Sequence, residues 1–386
     1  MTDRRRPSSL AIQRIATLAL AGAGVVAAGT ASAGSNSSFS GTAYVDYWGI
    51  DSKAVAKRSP SGVTIDAAVK LGVDINDDLT FSAKACFSCH GLEFDNVMLD
   101  WMPSTKFNVQ VGRLPIPFGE FSNRVDPSGH KTVSAPLIYD MGRMAYGEKG
   151  AMNLGVIPLP YTDTGVMVYG QVFLLESLQL WYGAYGAAGF RGGNDLDFVA
   201  TRSLYYTDNN RVPAGGGRVV ATYASEGGSL LGDVSVGASA TAGRYDRDAR
   251  LGYLAWGADA SVMLGRLTLR GEYATRQTDL DPKASYPYAL VDPWISKEGW
   301  YAEAEFPVLP LDRWVSGVVR YDELRRRGTP LSSSSQLSTD STLSRYTAGL
   351  MIIPAPSLYL KVGYEYWSAT DFPAFHAGHL GFGGSF

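Results

Sequence analysis

The 386-residue chain has little charge for its length, 18% Asp, Glu, Lys and Arg, and only two cysteines. Two cysteines cannot hold a disulfide-stapled scaffold together. A formal net charge of −3 gives no basic signal for nucleic acid. Mean hydropathy is −0.05, which excludes a polytopic helical membrane protein. No nucleophile–base–acid constellation stands out, and no phosphate-cradling Gly-rich loop precedes a helix; Gly215 to Gly217 and Gly227-Gly228 sit at strand ends. No helical domain or coiled coil is indicated, and low complexity is confined to Ser332 to Ser335. No enzyme is expected. In abundance instead are 44 Gly, 22 Tyr, 15 Phe and 8 Trp, which is not a usual helical-core mixture.

The first 33 residues read as an address. Arg4, Arg5, Arg6 and Arg14 form a positive region, Ile15 to Val26 is apolar, and Ala31-Ser32-Ala33 is a small-residue cleavage site. That order is a secretory signal peptide, too short for a membrane anchor, and it places the mature start at Gly34. Its removal leaves 30 Lys and Arg against 36 Asp and Glu. An acidic, exported chain keeps its thiols in an oxidising compartment.

From there the hydrophobic period is two. Leu267, Leu269, Gly271 and Tyr273 alternate with Thr268, Arg270 and Glu272. Trp300, Ala302, Ala304 and Phe306 alternate with Tyr301, Glu303 and Glu305, and the segment 358–366 behaves alike. A water-soluble sandwich also alternates. Here, however, charged residues recur mid-strand on one face while aromatics gather toward strand ends on the other. That layout is expected where the apolar face meets lipid and the polar face lines water.

The pattern predicts sixteen strands, near 39–49, 62–73, 79–87, 91–101, 107–114, 164–174, 178–190, 215–224, 233–245, 253–264, 267–280, 298–309, 314–327, 343–354, 358–370 and 376–386. Tight connections such as Asn76-Asp77-Asp78, Glu176-Ser177 and Gly265-Arg266 alternate with mostly longer ones, including 115–163, 191–214, 281–297 and 328–342. The expected fold class is all-β: a transmembrane antiparallel β-barrel over 34–386, with tight turns on the periplasmic side and a long third extracellular loop. Both termini then lie at the tight-turn end.

The closing segment, with Leu380, Phe382 and Phe386 on one face, resembles the C-terminal signal of bacterial outer-membrane proteins. That resemblance implies outer-membrane lipid and the barrel-insertion machinery as partners, the latter through Phe386. Over essentially the whole mature chain the layout resembles the sixteen-stranded porins, whose third loop folds inward and narrows the lumen. Val111-Gly-Arg-Leu-Pro-Ile-Pro-Phe-Gly119 is similar to the Gly-Arg-x-x-x-Pro-Phe-Gly stretch of phosphate-selective-porin-like proteins. The resemblance implies a passive channel for small hydrophilic solutes or ions in the bacterial outer membrane, 115–163 as constriction loop, and a homotrimer. Arg124, Asp126, Arg143, Arg270, Glu272, Glu303, Arg320 and Lys361 are the expected pore-lining residues. Their mixed signs carry no phosphate selectivity over.

One motif is foreign to a porin. Both cysteines lie in Cys86-Phe87-Ser88-Cys89-His90, the C-x-x-C-H attachment sequence of c-type haem. Two thiols would bond the vinyl groups, and His90 would ligate the iron. His130 is then the candidate sixth ligand, with Met141, Met144, His376 and His379 as rivals. A local Cys86–Cys89 disulfide, which would need a turn at Phe87-Ser88, and another bound metal are the alternatives. The second function class is accordingly a monohaem, cytochrome-like barrel for electron transfer or redox sensing. One haem cannot readily carry electrons across an apolar band about 25 Å tall, which weighs toward the pore.

Overall fold

The computed structural model describes residues 37–51, 62–88, 91–139, 146–147, 150–151, 155–192, 209–225, 229–283, 292–328, 340–370 and 373–386. The leader reading of 1–33, the motif residues Cys89 and His90, and Met141, Arg143 and Met144 lie outside these.

Sixteen antiparallel strands close into one barrel. In chain order they are β1 (Ser37–Ile50), β2 (Gly62–Asn76), β3 (Leu79–Ser88), β4 (Gly91–Trp101), β5 (Asn108–Pro115), β8 (Thr162–Leu175), β9 (Leu178–Ala187), β10 (Ala214–Tyr223), β11 (Leu231–Arg244), β12 (Gly252–Leu264), β13 (Leu267–Asp279), β14 (Trp294–Pro307), β15 (Val315–Gly328), β16 (Ser341–Ala355), β17 (Leu358–Ala369) and β18 (Phe375–Ser385). The short pair β6 (Tyr146–Gly147) and β7 (Gly150–Ala151) forms a separate hairpin between β5 and β8, which alternation did not indicate. Each expected strand is present, with ends within four residues of the expected ones.

The alternation sorts the side chains as expected. Val362, Leu380 and Phe382 point outward and are about half exposed, at 46%, 54% and 50%. Arg345, Lys361 and Glu365, one residue out of phase with that face, are buried inside. Aromatic rings band the outer wall toward the long connections: Trp300 and Tyr321 lie 5.1 Å apart, Tyr321 and Tyr346 4.8 Å, Tyr346 and Tyr366 6.3 Å. Beyond them outward charges pair off, Arg325 with Glu323 at 2.7 Å and Arg327 with Glu298 at 3.5 Å. An apolar band edged by amphipathic rings and then by charge is the profile of a surface that passes from hydrocarbon to water.

Tight turns need particular residues. In the β2–β3 turn the Asn76 side-chain oxygen accepts the Asp78 N–H at 3.0 Å, and in the β12–β13 turn Gly265 takes φ +60°, which a side chain would strain. The first and last strands seal the cylinder in continuous register from Thr42↔Ser385 to Ile50↔Ala377. Gly41 and Phe386 exchange two backbone hydrogen bonds of 3.0 Å, and the Phe386 ring packs against Phe39 at 5.9 Å. The terminal phenylalanine therefore completes the seam.

Val362 lies mid-strand on the outer face. Replacing it with Arg should destabilise the barrel in phospholipid vesicles by about 2–4 kcal/mol, as for a cation near a bilayer midplane. Denaturant titration measures it, and an unchanged midpoint would place that face away from lipid.

Candidate functional site

The connection from β5 to β8 folds into the barrel. Ile116 N–H donates to Tyr161 O at 2.8 Å and closes its neck. Phe118, Phe121, Leu137, Ile138, Tyr139, Val156 and Ile157 are all buried and give the loop an apolar centre of its own. Val156 and Ile157 N–H groups both donate to Ile138 O, at 2.8 and 3.1 Å. A short 3₁₀ turn, Phe121–Arg124, carries the chain across.

Gly119 shows why the entry is built as it is. Its φ is +70°, its N–H donates to Ser239 Oγ at 3.1 Å, and a Cβ there would overlap Glu272 and the Tyr139 hydroxyl. Glu272, on β13, collects the Tyr139 hydroxyl, the Phe121 N–H at 3.3 Å and the Tyr301 hydroxyl at 3.3 Å. Burial and the neighbouring Glu272 push the Tyr139 phenol well above its usual range, so it acts as a donor throughout the physiological range.

Further along, ion pairs fasten the loop to β14–β17. Arg124 bonds Glu120 at 2.8 Å and Glu303 at 3.1 Å. Arg320 donates to Thr132 Oγ1 at 3.0 Å and Ser134 Oγ at 2.9 Å, and pairs with Asp322 at 3.0 Å. Arg345 donates to Ala135 O at 2.5 Å and pairs with Asp322 at 3.2 Å; Lys361 donates to Thr132 O at 2.9 Å. Leu137 N–H donates to Asp322 at 3.0 Å, and the Ser134 hydroxyl to Glu365. The side chains of Arg320, Asp322, Arg345 and Glu365 have no exposed surface at all. Charges this deep are tolerated only when paired and hydrogen-bonded, so removing one partner leaves the other stranded at large cost.

Asp126 reaches the wall on the other side of the β1–β18 seam. Its carboxylate meets Lys70 of β2 at 2.6 Å and Lys84 of β3 at 2.5 Å, and Lys84 also pairs with Asp95 at 2.8 Å. Burial alone would raise the Asp126 carboxyl, but Lys84 and Lys70 hold it below the usual carboxylate range.

All described members of the expected pore lining thus face the interior, and the loop covers most of them. Glu272, Glu303, Arg320 and Lys361 are 0–4% exposed under it, because it brings them their partners. They anchor the loop rather than border open water, and this corrects the expectation for those four. Asp126 and Arg270 keep partial access to water. Asp322, Arg345 and Glu365, the deepest of the anchors, and Lys70 and Lys84 were not singled out from sequence. For two of them the signal was present, since Asp322 stands at an even offset from Arg320 and Glu365 from Lys361, whereas no inward residue was expected on β2, β3 or β16 to point to Lys70, Lys84 or Arg345.

Cys86 is a free thiol in extended β3, opposite Glu93 of β4. Ser88 pairs with Gly91, so the β3–β4 connection is two residues long. Cys86 is half-buried, and the ionisable groups near it include Lys84, Asp95, Asp126 and Asp66. His130 sits elsewhere: its Nδ1 donates to Arg124 O at 2.9 Å, its ring packs on Phe121 at 5.3 Å, and Lys361 and Arg320 are its charged neighbours. His379 lies against Trp48 at 4.0 Å and beside Glu365 at 3.1 Å. His376 bonds the Tyr364 hydroxyl at 2.6 Å near the outer surface. Among the described residues, no three His, Cys, Asp or Glu side chains gather to hold a metal ion.

No protein-family model matches the chain, and no curated protein sequence does. Solved structures do. OmpF of Salmonella typhi, in complex with daunomycin, superposes with a TM-score of 0.58 at 12% identity, covering 91% of this chain and 98% of that one. An anion-selective porin from Comamonas acidovorans gives 0.57 at 13%, over 91% and 99%. OmpT of Vibrio cholerae, in a trimer form, gives 0.51 at 11%, over 91% and 99%. At such identity the likeness is one of fold: this chain has the sixteen-stranded porin architecture.

Two outcomes follow from the anchoring. Gly119→Ala should expel the loop entry, seen as new trypsin cleavage after Arg124 and Lys131 in a barrel that otherwise stays folded. Burial and Lys361 hold His130 well below the usual imidazole range, against the opposing bond to Arg124 O. Loop docking therefore has its full His130 contribution above about pH 6.5, the unfolded value, and loses it as pH falls toward the folded one. Trypsin protection should weaken on acidification, and His130→Gln should flatten that dependence; an equally steep profile in the variant would clear His130 of the effect.

Proposed function

We propose that this chain is a channel of the bacterial outer membrane that lets small hydrophilic solutes or ions diffuse passively. The observation that carries the reading is the inverted barrel. Its outer face is apolar, its inner face charged, and a loop anchored by buried ion pairs narrows the interior. A barrel that served only as a membrane anchor would not need a charged inner wall with a loop fastened across it. Sixteen strands enclose a lumen wide enough for water once the loop leaves part of it free. The leader-like 1–33 fits export, and the seam at Phe386 fits a terminus read by the insertion machinery. The homotrimer expected from sequence stays part of this proposal, supported by the trimer form of one similar barrel.

Reconstituted into planar bilayers, the protein should give stepwise ion currents. Deleting 125–150 should enlarge each step several-fold, because the residues that occupy the lumen go with it. A folded, inserted barrel that passes no current would refute the channel, and an unchanged step after the deletion would place the loop outside the conducting path.

Covalent haem at Cys86, Cys89 and His90 is a separate proposal, supported by the C-x-x-C-H spacing alone. Mass spectrometry of protein from a haem-maturing host decides it. An adduct of one haem on the peptide spanning 86–90 would establish it; an unmodified peptide, or one two hydrogens lighter, would exclude it.

A further inference from the structure

The loop treats two stretches of the barrel wall, on either side of the β1–β18 seam, differently. Along β14–β17 the charged groups it meets are sealed and mutually compensated. Along β2 and β3 the contact is wetter: the Lys70 side chain is 44% exposed and that of Asp126 26%. Water therefore reaches this side of the loop.

The charge here is unbalanced. Alternation and register turn Asp66, Asp74, Glu93 and Asp100 inward on β2–β4, and the ion pair with Lys84 places bulged Asp95 there too, against Lys70 and Lys84 alone. Asp126 adds a sixth carboxylate, and both ammonium groups are already bonded to it. The carboxylates run the height of the wall, from Asp66 and Glu93 near the long connections to the row Asp74↔Thr80↔Asp100 near the tight turns.

A second feature of the same wall points the same way. Asn108 and Gln110 face inward on β5, are 7% and 9% exposed, and their side-chain oxygens have no hydrogen-bond partner among the described residues. The Gln110 amide is oriented by its own N–H, which donates to Asp100 Oδ2 at 2.8 Å, so the buried oxygen is the end without a donor among the described residues. Asp95 Oδ1 and Ser82 Oγ are likewise without partners among the described residues. Oxygens that lack a donor, beside a net-negative surface, suit water protons and hard cations and repel anions.

We propose that the conducting path runs along the inner face of the β2–β4 wall, beside the Asp126–Lys70 contact, and prefers small inorganic cations to anions, with Glu93 and Asp100 among the residues that set the sign. This rests on the channel reading and makes it specific. The test is the reversal potential of the full-length protein in planar bilayers across an about tenfold KCl gradient. Potassium should be favoured over chloride by about threefold or more. The double variant Glu93→Gln/Asp100→Asn should bring that ratio close to one, and Lys70→Gln should raise it. Chloride preference in the unaltered protein would overturn the inference while leaving the channel standing, as would a ratio unmoved in a double variant of normal conductance. If the double variant does not insert, the sign measured on the unaltered protein and on Lys70→Gln still decides. Absence of any current would instead remove the channel reading and the inference with it.

Discussion

Backbone amides within hydrocarbon have no water to bond, so each strand must find its partners in a neighbouring strand. Everything else here depends on that constraint. It requires the sheet to close, and β1 and β18 close it in register through to the paired backbones of Gly41 and Phe386. It also fixes the two faces, since a strand held in register shows alternate residues to lipid and to the interior. A slip by one residue on β17 would carry Lys361 and Glu365 into the apolar band and Val362 inside.

Closure creates an interior that must itself be filled or wetted. Much of this one is occupied by the β5–β8 loop, which buries an apolar centre and meets the wall through charged groups. The pairings are reciprocal. Loop carbonyls at Thr132 and Ala135 accept from wall cations, wall carboxylates Glu272 and Asp322 accept from loop N–H groups, and Arg124 pairs with Glu303. Because each buried charge is stranded if its partner leaves, the loop is held as one connected unit rather than by independent contacts. On the β2–β5 wall the loop contact is wetter, at Lys70 and Asp126, and buried acceptors at Asn108 and Gln110 have no partner among the described residues.

The barrel was legible because period-two alternation and alternating connection lengths are both written locally. Strand positions followed from runs such as 267–273 and 300–306 to within a few residues. The interior was harder. Alternation shows that Glu272 or Arg320 faces in, but not that a loop far off in sequence will cover it, since Phe121 and Glu272 meet across 151 positions of chain. The role of Gly119 depends on a positive φ and a close approach that no local pattern reveals. The Cys86 motif is a local signal of the same kind: C-x-x-C-H spacing names a chemistry, and of its ligating residues only Cys86, in extended β3, lies among the described residues.

Thiol accessibility along β4 tests the central claim, a barrel with lipid outside and water inside, most directly. With Cys86 and Cys89 replaced by serine, single cysteines at successive β4 positions would be treated in proteoliposomes with a membrane-impermeant thiol reagent. Positions 93 and 100 should label, and 92, 94 and 99 should not. Labelling that ignores the alternation, or that favours 92, 94 and 99, would contradict it.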